Sequence, residues 1–337
     1  FRVAICDQLE DPKQAKGIVK RGVTEMITPG TAINDKLLEY KSNNFLAGLH
    51  FVDDNQFGLA FLDLSTGEFL IAEGDREYAD KLLQSFSPSE VVFQRHQQKK
   101  FKELFGGKMY VYTLDEWIFD ENYAQVTLLK HFQTHSLKGF GIEEQKNGLT
   151  GAGAIIHYLR DTEHPNLQHI TSLQSIQRND FLWMDRFTIR NLELIYGNNE
   201  GDHTLLKVLD NTASPMGARM LKRWLLFPLI DINKINERLE LVETLIKETD
   251  LRNELVQAIK LCGDIERLVA KIPTKKINPR EVLQLAKGLQ QVKLVKELCI
   301  VHSNDYLQRI GAALDPCPEI AGKIFKEISE NPPAVAV

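Results

Sequence analysis

Cysteine is scarce in this chain of 337 residues, which contains only Cys6, Cys262, Cys299 and Cys317. None of the four belongs to a CxxC pair, so the sequence predicts neither a disulfide framework nor a zinc ribbon. Free, widely spaced cysteines are typical of a reducing compartment, and we expect a cytoplasmic protein.

Long apolar runs are also missing. No stretch reaches the roughly 20 apolar residues that a membrane-spanning helix needs, so we expect no membrane segment. The chain starts at Phe1 without a signal-peptide pattern and ends at Val337 without a capping signal. These ends predict an internal piece of a longer protein, large enough for about two domains.

Positive charge is in short supply. Lysine and arginine number 41 against 46 aspartates and glutamates, which gives a net charge of -5. Residues 31–155 carry 12 basic and 18 acidic side chains, and residues 156–337 carry 24 of each. Nucleic-acid-binding modules usually present a basic surface, so this balance speaks against DNA contact over most of the chain. The acidic middle segment fits a protein partner better.

Motifs of the common catalytic folds are absent. Gly106-Gly107-Lys108 lacks the first glycine and the Ser/Thr of a phosphate-binding GxxxxGK[ST] loop. Gly151-Ala152-Gly153 has only part of a dinucleotide-binding fingerprint, so it predicts a tight helix contact instead of a cofactor loop. No GxSxG nucleophile elbow occurs. We therefore predict no catalytic, cofactor-binding or metal-binding residue in this chain.

Two alternatives remain open at the level of sequence. His131 and His135 lie four residues apart on a predicted helix and could share a metal ion, although no third ligand is evident. Asp63 on a predicted central strand, with Glu68 just after it, could begin the carboxylate set of an RNase H-like metal-dependent nuclease. A half-exposed helix surface and ordinary strand-end carboxylates are the structural alternatives.

The apolar pattern changes along the chain from strand-like to helical. Residues 45–115 alternate short apolar runs with turn residues, as in an α/β sheet covered by helices. From residue 121 the apolar side chains recur at a spacing near 3.6 residues, and from about residue 180 almost only helices are expected. The predicted fold class is therefore α/β plus all-α: a mixed sheet with flanking helices, followed by a helical domain.

Turn and capping residues locate the individual elements. Phe45–Val52, Phe57–Leu64 and Glu68–Ala72 predict an antiparallel three-strand meander. The other predicted strands are Val3–Cys6, Glu90–Phe93 and Met109–Tyr112. Helices are predicted over the ranges Pro12–Val19, Asp35–Tyr40, 76–86, 97–104, Leu149–Leu159 and Asp231 to about Lys247. Further helices are predicted to start at residue 121, at Asp202 or His203, at Ser214-Pro215 and at Asn278-Pro279.

Several short motifs occur along the chain in the order of one known family. The most specific of them runs from Thr204 to Leu229 and includes Pro215-Met216-Gly217-Ala218-Arg219 and Arg223-Trp224-Leu225. The others are Val3-Ala4-Ile5-Cys6-Asp7-Gln8, Thr28-Pro29-Gly30-Thr31, Phe57-Gly58-Leu59-Ala60, Asp63-Leu64-Ser65-Thr66-Gly67-Glu68-Phe69, Leu137 to Gly141, Arg190-Asn191-Leu192-Glu193-Leu194, Asp264-Ile265-Glu266-Arg267-Leu268 and Pro279-Arg280-Glu281. Together they resemble the MutS family of DNA mismatch repair proteins over nearly the whole chain.

This resemblance implies an internal fragment with four segments. Residues 1–30 would be the tail of the mismatch-binding domain, 31–42 a linker, 43–155 an RNase H-like connector and 156–337 a truncated helical core and lever domain. In this family the connector docks the repair factor MutL, and the core joins mismatch binding to an ATPase domain. The alternative functions are a metal-dependent nuclease and a free-standing protein-interaction module.

The resemblance also implies ligands, partners and signature residues. The full-length homodimer would bind mismatched double-stranded DNA, MutL, ATP and Mg, whereas this fragment would hold no cofactor, lack activity and be a monomer or weak dimer. Independently of the resemblance, the charge pattern makes Lys275, Lys276 and Arg280 candidates for phosphate contact, because they cluster with Lys271 around a proline-containing turn; a solvated loop is the alternative. Structural or coupling roles fall to Arg190, Asn191, Glu193, Leu209, Asp210, Pro215, Met216, Gly217, Arg219 and Trp224.

Overall fold

The computed structural model describes residues 2–11, 17–197 and 203–333, and the chain divides into two compact units. The first unit contains residues 1–39 and 43–177, and the second, helical unit contains residues 40–42 and 178–337. The predicted order of an α/β region followed by a helical region is confirmed. The domain boundary predicted after residue 155 falls inside a helix of the first unit, Lys146–Asp161.

A mixed sheet forms the centre of the first unit. The strands of this unit are β1 (Val3–Gln8), β2 (Arg21–Ile27), β3 (Phe45–Phe51), β4 (Gln56–Asp63), β5 (Glu68–Asp75), β6 (Glu90–Gln94), β7 (Val111–Leu114) and β8 (Gln174–Ser175). β1 and β2 form a separate two-stranded ribbon, and the other six strands form the sheet. The sheet order is β7-β6-β3-β4-β5-β8. β3, β4 and β5 form the predicted antiparallel meander, whereas β6, β7 and β8 join it in parallel.

Helices cover both faces of this sheet. They are α1 (Arg76–Phe86), α2 (Gln98–Phe105), α3 (Glu121–Phe132) and α4 (Lys146–Asp161). α1 and α2 pack phenylalanine rings against one face, with ring centroids 4.6 Å apart for Phe61–Phe86 and 4.5 Å apart for Phe93–Phe101. α4 covers the opposite face, where Leu46 and Leu62 share its buried core. The first unit is therefore a three-layer α/β structure.

α4 approaches the sheet so closely that side chains are excluded at the contact. A Cβ atom placed on Gly48 would lie 2.3 Å from the carbonyl oxygen of Gly151, and one on Gly58 would lie 1.9 Å from that of Asn147. A Cβ on Gly153 would lie 2.5 Å from the Cβ of Ala124 on α3. The prediction that Gly151 and Gly153 mark a tight helix contact is confirmed.

The start of the chain differs from the sequence-based expectation. The strand at Val3–Cys6 is confirmed, but β2 pairs with it antiparallel, with Val3 opposite Ile27. Most of the helix predicted after Asp11 falls on residues 12–16, outside the described residues, and residues 17–19 are not helical. The helix predicted at Asp35–Tyr40 is wrong: the Asn34 side chain accepts a hydrogen bond from the Lys36 amide at 3.0 Å, and the segment forms turns instead.

Two other element boundaries are displaced. β7 starts at Val111 instead of Met109, because residues 106–110 form a bend and an extended connection after α2. The helix predicted from Asp202 or His203 starts later, at Leu205, where the Thr204 side chain accepts a hydrogen bond from the Lys207 amide at 3.2 Å. Asp202 itself lies outside the described residues.

The helical unit is built around one long helix. Its helices are α5 (Arg186–Asn191), α6 (Leu205–Leu209), α7 (Pro215–Leu226), α8 (Ile232–Lys247), α9 (Thr249–Cys262), α10 (Ile265–Ala270), α11 (Pro279–Ile300), α12 (Asp305–Ala313) and α13 (Pro318–Glu327). The predicted helix starts at Ser214, Asp231 and Asn278 are confirmed, and each of these side chains caps its helix by accepting hydrogen bonds from backbone amides. α11 packs against α9, α12 and α13, and a core containing Leu255, Cys299 and Leu307 lies among these helices. In the described part of the chain no helix combines the length and apolarity required to cross a membrane.

His50 makes the first unit sensitive to acid. Burial lowers the pKa of His50 from 6.5 to about 4, and its Nδ1 lies 2.9 Å from the amide nitrogen of Gln94, a donor that suits the neutral ring. Between pH 6.5 and about 4, His50 therefore binds a proton in the unfolded chain but not in the folded unit. We expect the free energy of unfolding of the first unit to be highest above pH 6.5 and to fall by up to about 3 kcal/mol towards pH 4.

The measurement is urea denaturation across this pH range, followed by fluorescence of Trp117, the tryptophan of the first unit. His50→Gln should reduce the acid-dependent loss without abolishing it, because burial also lowers the pKa values of His131 and His169. An unchanged pH dependence in His50→Gln would contradict the assignment.

Candidate functional site

A buried polar site in the described residues surrounds Arg219, in the second turn of α7. Ser214 caps this helix and Pro215 occupies its first position, so the backbone direction of α7 is set just before Arg219. Arg219 is only 5% exposed, which is unusual for arginine and requires that its donors be satisfied within the protein.

Two carboxylates from the start of α10 satisfy this guanidinium. Arg219 donates from both terminal nitrogens to Asp264, each at 2.8 Å, and from Nη2 to Glu266 at 2.7 Å. Asp264 also caps α10 by accepting from the Arg267 amide at 3.3 Å. Burial alone would lower the pKa of Arg219, but hydrogen bonds and charge from Asp264 and Glu266 raise it above its ordinary value. The guanidinium group therefore stays charged, and its two terminal nitrogens bind the two oxygens of Asp264.

The same helices hold a short segment from an earlier part of the chain, Tyr40–Ser42. Arg219 donates to the carbonyl oxygen of Tyr40 at 3.2 Å, and Arg267 donates to that of Ser42 at 2.6 Å. We call Arg219, Asp264, Glu266 and Arg267, with these two carbonyl groups, the Arg219 cluster. The segment Tyr40–Ser42 belongs to the helical unit, whereas the chain on either side of it belongs to the first unit.

A second ion pair holds the middle residue of the segment. Lys41 Nζ lies 2.7 Å from Asp210 Oδ2, and Thr212 donates to Asp210 Oδ1 at 2.6 Å. The hydrogen bond and charge of Lys41, together with Thr212, hold the pKa of Asp210 below its usual range, while Asp210 raises the pKa of Lys41. Residues 40, 41 and 42 are thus each bound by a side chain that follows α6 or lies on α7 or α10.

The signature residues are spread over a larger region than this site. Of the predicted set, Asp210 and Arg219 both bind the segment 40–42. Glu193 adopts a left-handed backbone (φ 49°), and Trp224 on α7 lies under Arg238 of α8, 3.6 Å from guanidinium to ring centroid. Arg190 and Asn191 end α5, Leu209 ends α6, and Pro215, Met216 and Gly217 form the first turn of α7.

Sequence reasoning missed the partners that complete the site. Asp264, Glu266 and Arg267 belong to a recognised motif, but no site role was assigned to them, and Lys41 was expected to lie in a linker. The available signal was the aspartate before a short apolar helix, which is typical of an N-cap. Because more than 40 residues separate Arg219 from Asp264, only the folded chain reveals the pair.

The predicted phosphate candidates lie in another part of the helical unit. Lys271, their neighbour, is buried and pairs with Glu281 at 2.7 Å, so its charge is neutralised within the fold. Arg280 Nε donates to the carbonyl oxygen of Pro332 at 3.0 Å. Lys275, which has a left-handed backbone (φ 56°), and Lys276 are exposed. Phosphate contact by Lys275, Lys276 and Arg280 stays a prediction.

The histidine pair does not have the geometry that a shared metal requires. α3 ends at Phe132, so His135 lies beyond the helix and the assumed helical spacing between it and His131 is lost. His131 Nε2 lies 3.0 Å from the carbonyl oxygen of Ile170. Within the described ranges, no group of three histidine, cysteine, aspartate or glutamate residues could hold a metal ion.

Asp63 is a structural carboxylate at the β4–β5 turn. It is fully buried; Oδ1 accepts from the Ser65 amide and hydroxyl at 2.9 and 2.7 Å, and Oδ2 accepts from the Asn43 side chain and the Asn44 amide at 2.8 and 3.2 Å. Both oxygens are therefore occupied by donors from the protein. This arrangement removes the support for a nuclease centred on Asp63 and Glu68.

Asp63→Asn should destabilise the first unit by about 1–3 kcal/mol, because the new amide group faces donors where an acceptor is needed. Urea denaturation followed by Trp117 fluorescence would measure the loss. Asp54→Asn is the control, because Asp54 has a fully exposed side chain, and we expect little change there. Equal midpoints for the two variants would refute the structural role.

Comparison with known proteins agrees with these observations. Family models for MutS domain I, MutS domain II and MutS domain III match residues 1–36, 44–171 and 187–336. The chain is 49% identical over 333 residues to the DNA mismatch repair protein MutS of Cytophaga hutchinsonii, and 51% identical over 332 residues to that of Phocaeicola vulgatus. These alignments cover 99% and 98% of this chain but only 39% and 38% of the two relatives. The chain belongs to the MutS family of DNA mismatch repair proteins, of which it carries the region that spans domains I to III.

Proposed function

We propose that this chain is the coupling region of a mismatch-recognition ATPase: a scaffold that links mismatched DNA binding to ATP-driven rearrangement and docks MutL. The Arg219 cluster is the observation that carries the proposal. It fixes residues 40–42, which join the two parts of the first unit in sequence, to helices α7 and α10 of the helical unit. A movement of these helices would therefore be transmitted directly into the chain on either side of the segment.

Physical linkage requires an element with two arrangements that both ligands bias. A buried ion-pair network suits this role because its hydrogen bonds are strong only when the geometry is complete. Lys41 and Asp210 add a pair with a partly exposed lysine, 38% by side chain, whose ammonium group can return to water while Thr212 keeps its hydrogen bond to Asp210. We propose that Lys41–Asp210 opens first when the segment is released.

The test uses the whole protein that contains this sequence. Lys41→Met should leave binding to a mismatched duplex intact but reduce the effect of ATP on that binding. The matched control is Lys247→Met, which removes another lysine of the helical unit that pairs with a carboxylate, Glu243. Binding of mismatched and matched duplexes at fixed salt, with and without ATP, gives the readout.

Two results would count against coupling. The first is an ATP effect in Lys41→Met equal to that of the unaltered protein and of Lys247→Met. The second is equal binding of mismatched and matched DNA by the unaltered protein, with and without ATP, since no signal would then exist to transmit.

The docking part of the proposal is supported by the acidic charge of residues 31–155, most of which lie in the first unit. Residues 31–155 have 12 basic and 18 acidic side chains, which disfavours DNA and favours a protein with a basic surface. Binding of MutL to the 337-residue chain, measured by biolayer interferometry, tests this part separately. No binding at micromolar concentrations would remove it and leave the coupling proposal to the DNA experiment.

A further inference from the structure

An exposed tryptophan lies on the surface of the first unit, in a short 3₁₀ turn formed by Glu116–Phe119. Ile118 and Phe119 are 3% and 6% exposed and anchor this turn in the core. Their burial directs Trp117, the residue before them, outward, where it is 56% exposed. An exposed large aromatic side chain on a well-anchored turn is the kind of residue that dominates protein interfaces.

Two neighbouring rings hold this tryptophan in one orientation. Tyr123 on α3 and His157 on α4 contact it edge to face, with centroid distances of 5.0 and 5.3 Å. The Tyr123 hydroxyl lies 2.5 Å from His157 Nδ1, and His157 Nε2 lies 3.1 Å from Asp161 Oδ2. These two contacts fix the orientation of the His157 ring. The indole is therefore preorganised and loses little freedom on binding.

Three carboxylates adjoin these rings: Glu116 precedes Trp117, Glu121 lies two residues before Tyr123, and Asp161 contacts His157. The side chains of Glu116, Glu121 and Asp161 are 77%, 54% and 58% exposed. Lys146 pairs with Glu121 at 2.9 Å, whereas the partners of Glu116 and Asp161 are histidines. We call Trp117, Tyr123 and His157, with these three carboxylates, the Trp117 surface. Its negative charge is most weakly compensated at Glu116 and Asp161.

We propose that the Trp117 surface is the docking point for an arginine or lysine side chain of the protein partner, with the cation stacked on the indole face. Tryptophan binds cations best among the aromatic side chains, and the carboxylates add charge complementarity at the rim. This inference rests on the docking part of the proposed function and specifies the surface and chemistry that it would use.

The first experiment compares ring chemistry at one position, with MutL as the partner. Trp117→Phe should weaken binding about threefold and Trp117→Leu about tenfold, because leucine keeps an apolar surface but has no π face. Glu116→Lys should also weaken binding, whereas Glu77→Lys, the same charge change on α1, should not. Equal affinities for the unaltered chain, Trp117→Leu and Glu116→Lys would overturn the inference and leave MutL docking itself intact.

A second experiment separates the surface from the identity of the partner. In a chain with Trp183→Phe and Trp224→Phe, the emission of Trp117 reports binding of a short arginine peptide and of its neutral citrulline analogue. We expect a response to arginine that citrulline and Trp117→Leu abolish. This result without MutL binding would sustain the surface chemistry and refute the docking proposal. Equal responses to the two peptides would overturn the inference.

Discussion

Arg219→Met is expected to lower the free energy of unfolding of the helical unit by about 3 kcal/mol. The substitution leaves Asp264 without its bidentate partner and the carbonyl group of Tyr40 without its donor, and removing one member of a buried ion pair costs about 3–5 kcal/mol. We expect the lower end of this range because the Glu266 side chain is 50% exposed and can regain water.

Urea denaturation followed by Trp183 and Trp224 fluorescence would measure this loss. Arg309→Met is the matched control: Arg309 also pairs with a glutamate, Glu237 at 2.8 Å, but its side chain is 60% exposed, and an exposed pair contributes little. Arg219→Lys should fall between the two, because an ammonium group keeps the charge but cannot bind both oxygens of Asp264 in the same plane. Similar stabilities for Arg219→Met and Arg309→Met would show that the cluster does not stabilise the unit.

Glu90→Gln is expected to destabilise the first unit by about 2–4 kcal/mol. Glu90 is fully buried on β6 and accepts hydrogen bonds from the Thr28 hydroxyl, the Gly30 amide at 3.0 Å and the Tyr158 hydroxyl at 2.6 Å. Burial raises the pKa of Tyr158, and the Glu90 charge raises it further, so the phenol remains a donor. A glutamine amide group would oppose at least one of these three donors.

The carboxylate of Glu90 binds the turn Thr28–Thr31 to the sheet through the Thr28 hydroxyl and the Gly30 amide. Replacing this carboxylate should therefore also increase the mobility of the turn. Hydrogen exchange at the Gly30 amide, together with urea denaturation, would detect both effects. Tyr158→Phe removes only one donor and should cost less, while Glu77→Gln, on an exposed part of α1, should change neither measurement. Unchanged protection of Gly30 in Glu90→Gln would contradict this role.

Local sequence signals were sufficient for most of the architecture. The meander of β3, β4 and β5 followed from alternating apolar runs separated by turn residues, and α7, α8 and α11 followed from their caps and apolar spacing. Errors occurred where the signal was short. Asp35–Tyr40 has helix-forming residues, but Asn34 closes a turn there through the Lys36 amide at 3.0 Å.

The candidate site was predictable only in part. The family motif identified Arg219 and Asp210, but periodicity and composition contain nothing that joins either residue to Lys41 or Asp264. Asp63 shows the opposite case, because its position on a central strand suggested catalysis. The fold instead surrounds it with four donors, two from Ser65 in the β4–β5 turn and two from Asn43 and Asn44, just before β3.

The class of fold, the order of the elements and the family follow from the amino-acid sequence, because caps, turns and apolar spacing act between residues close in the chain. Which charges meet depends on the packed structure. Arg219 and Glu90 derive their roles from partners distant in sequence, and the free energy of a charge depends on its burial and its neighbours. Those quantities exist only once the helices and strands have packed.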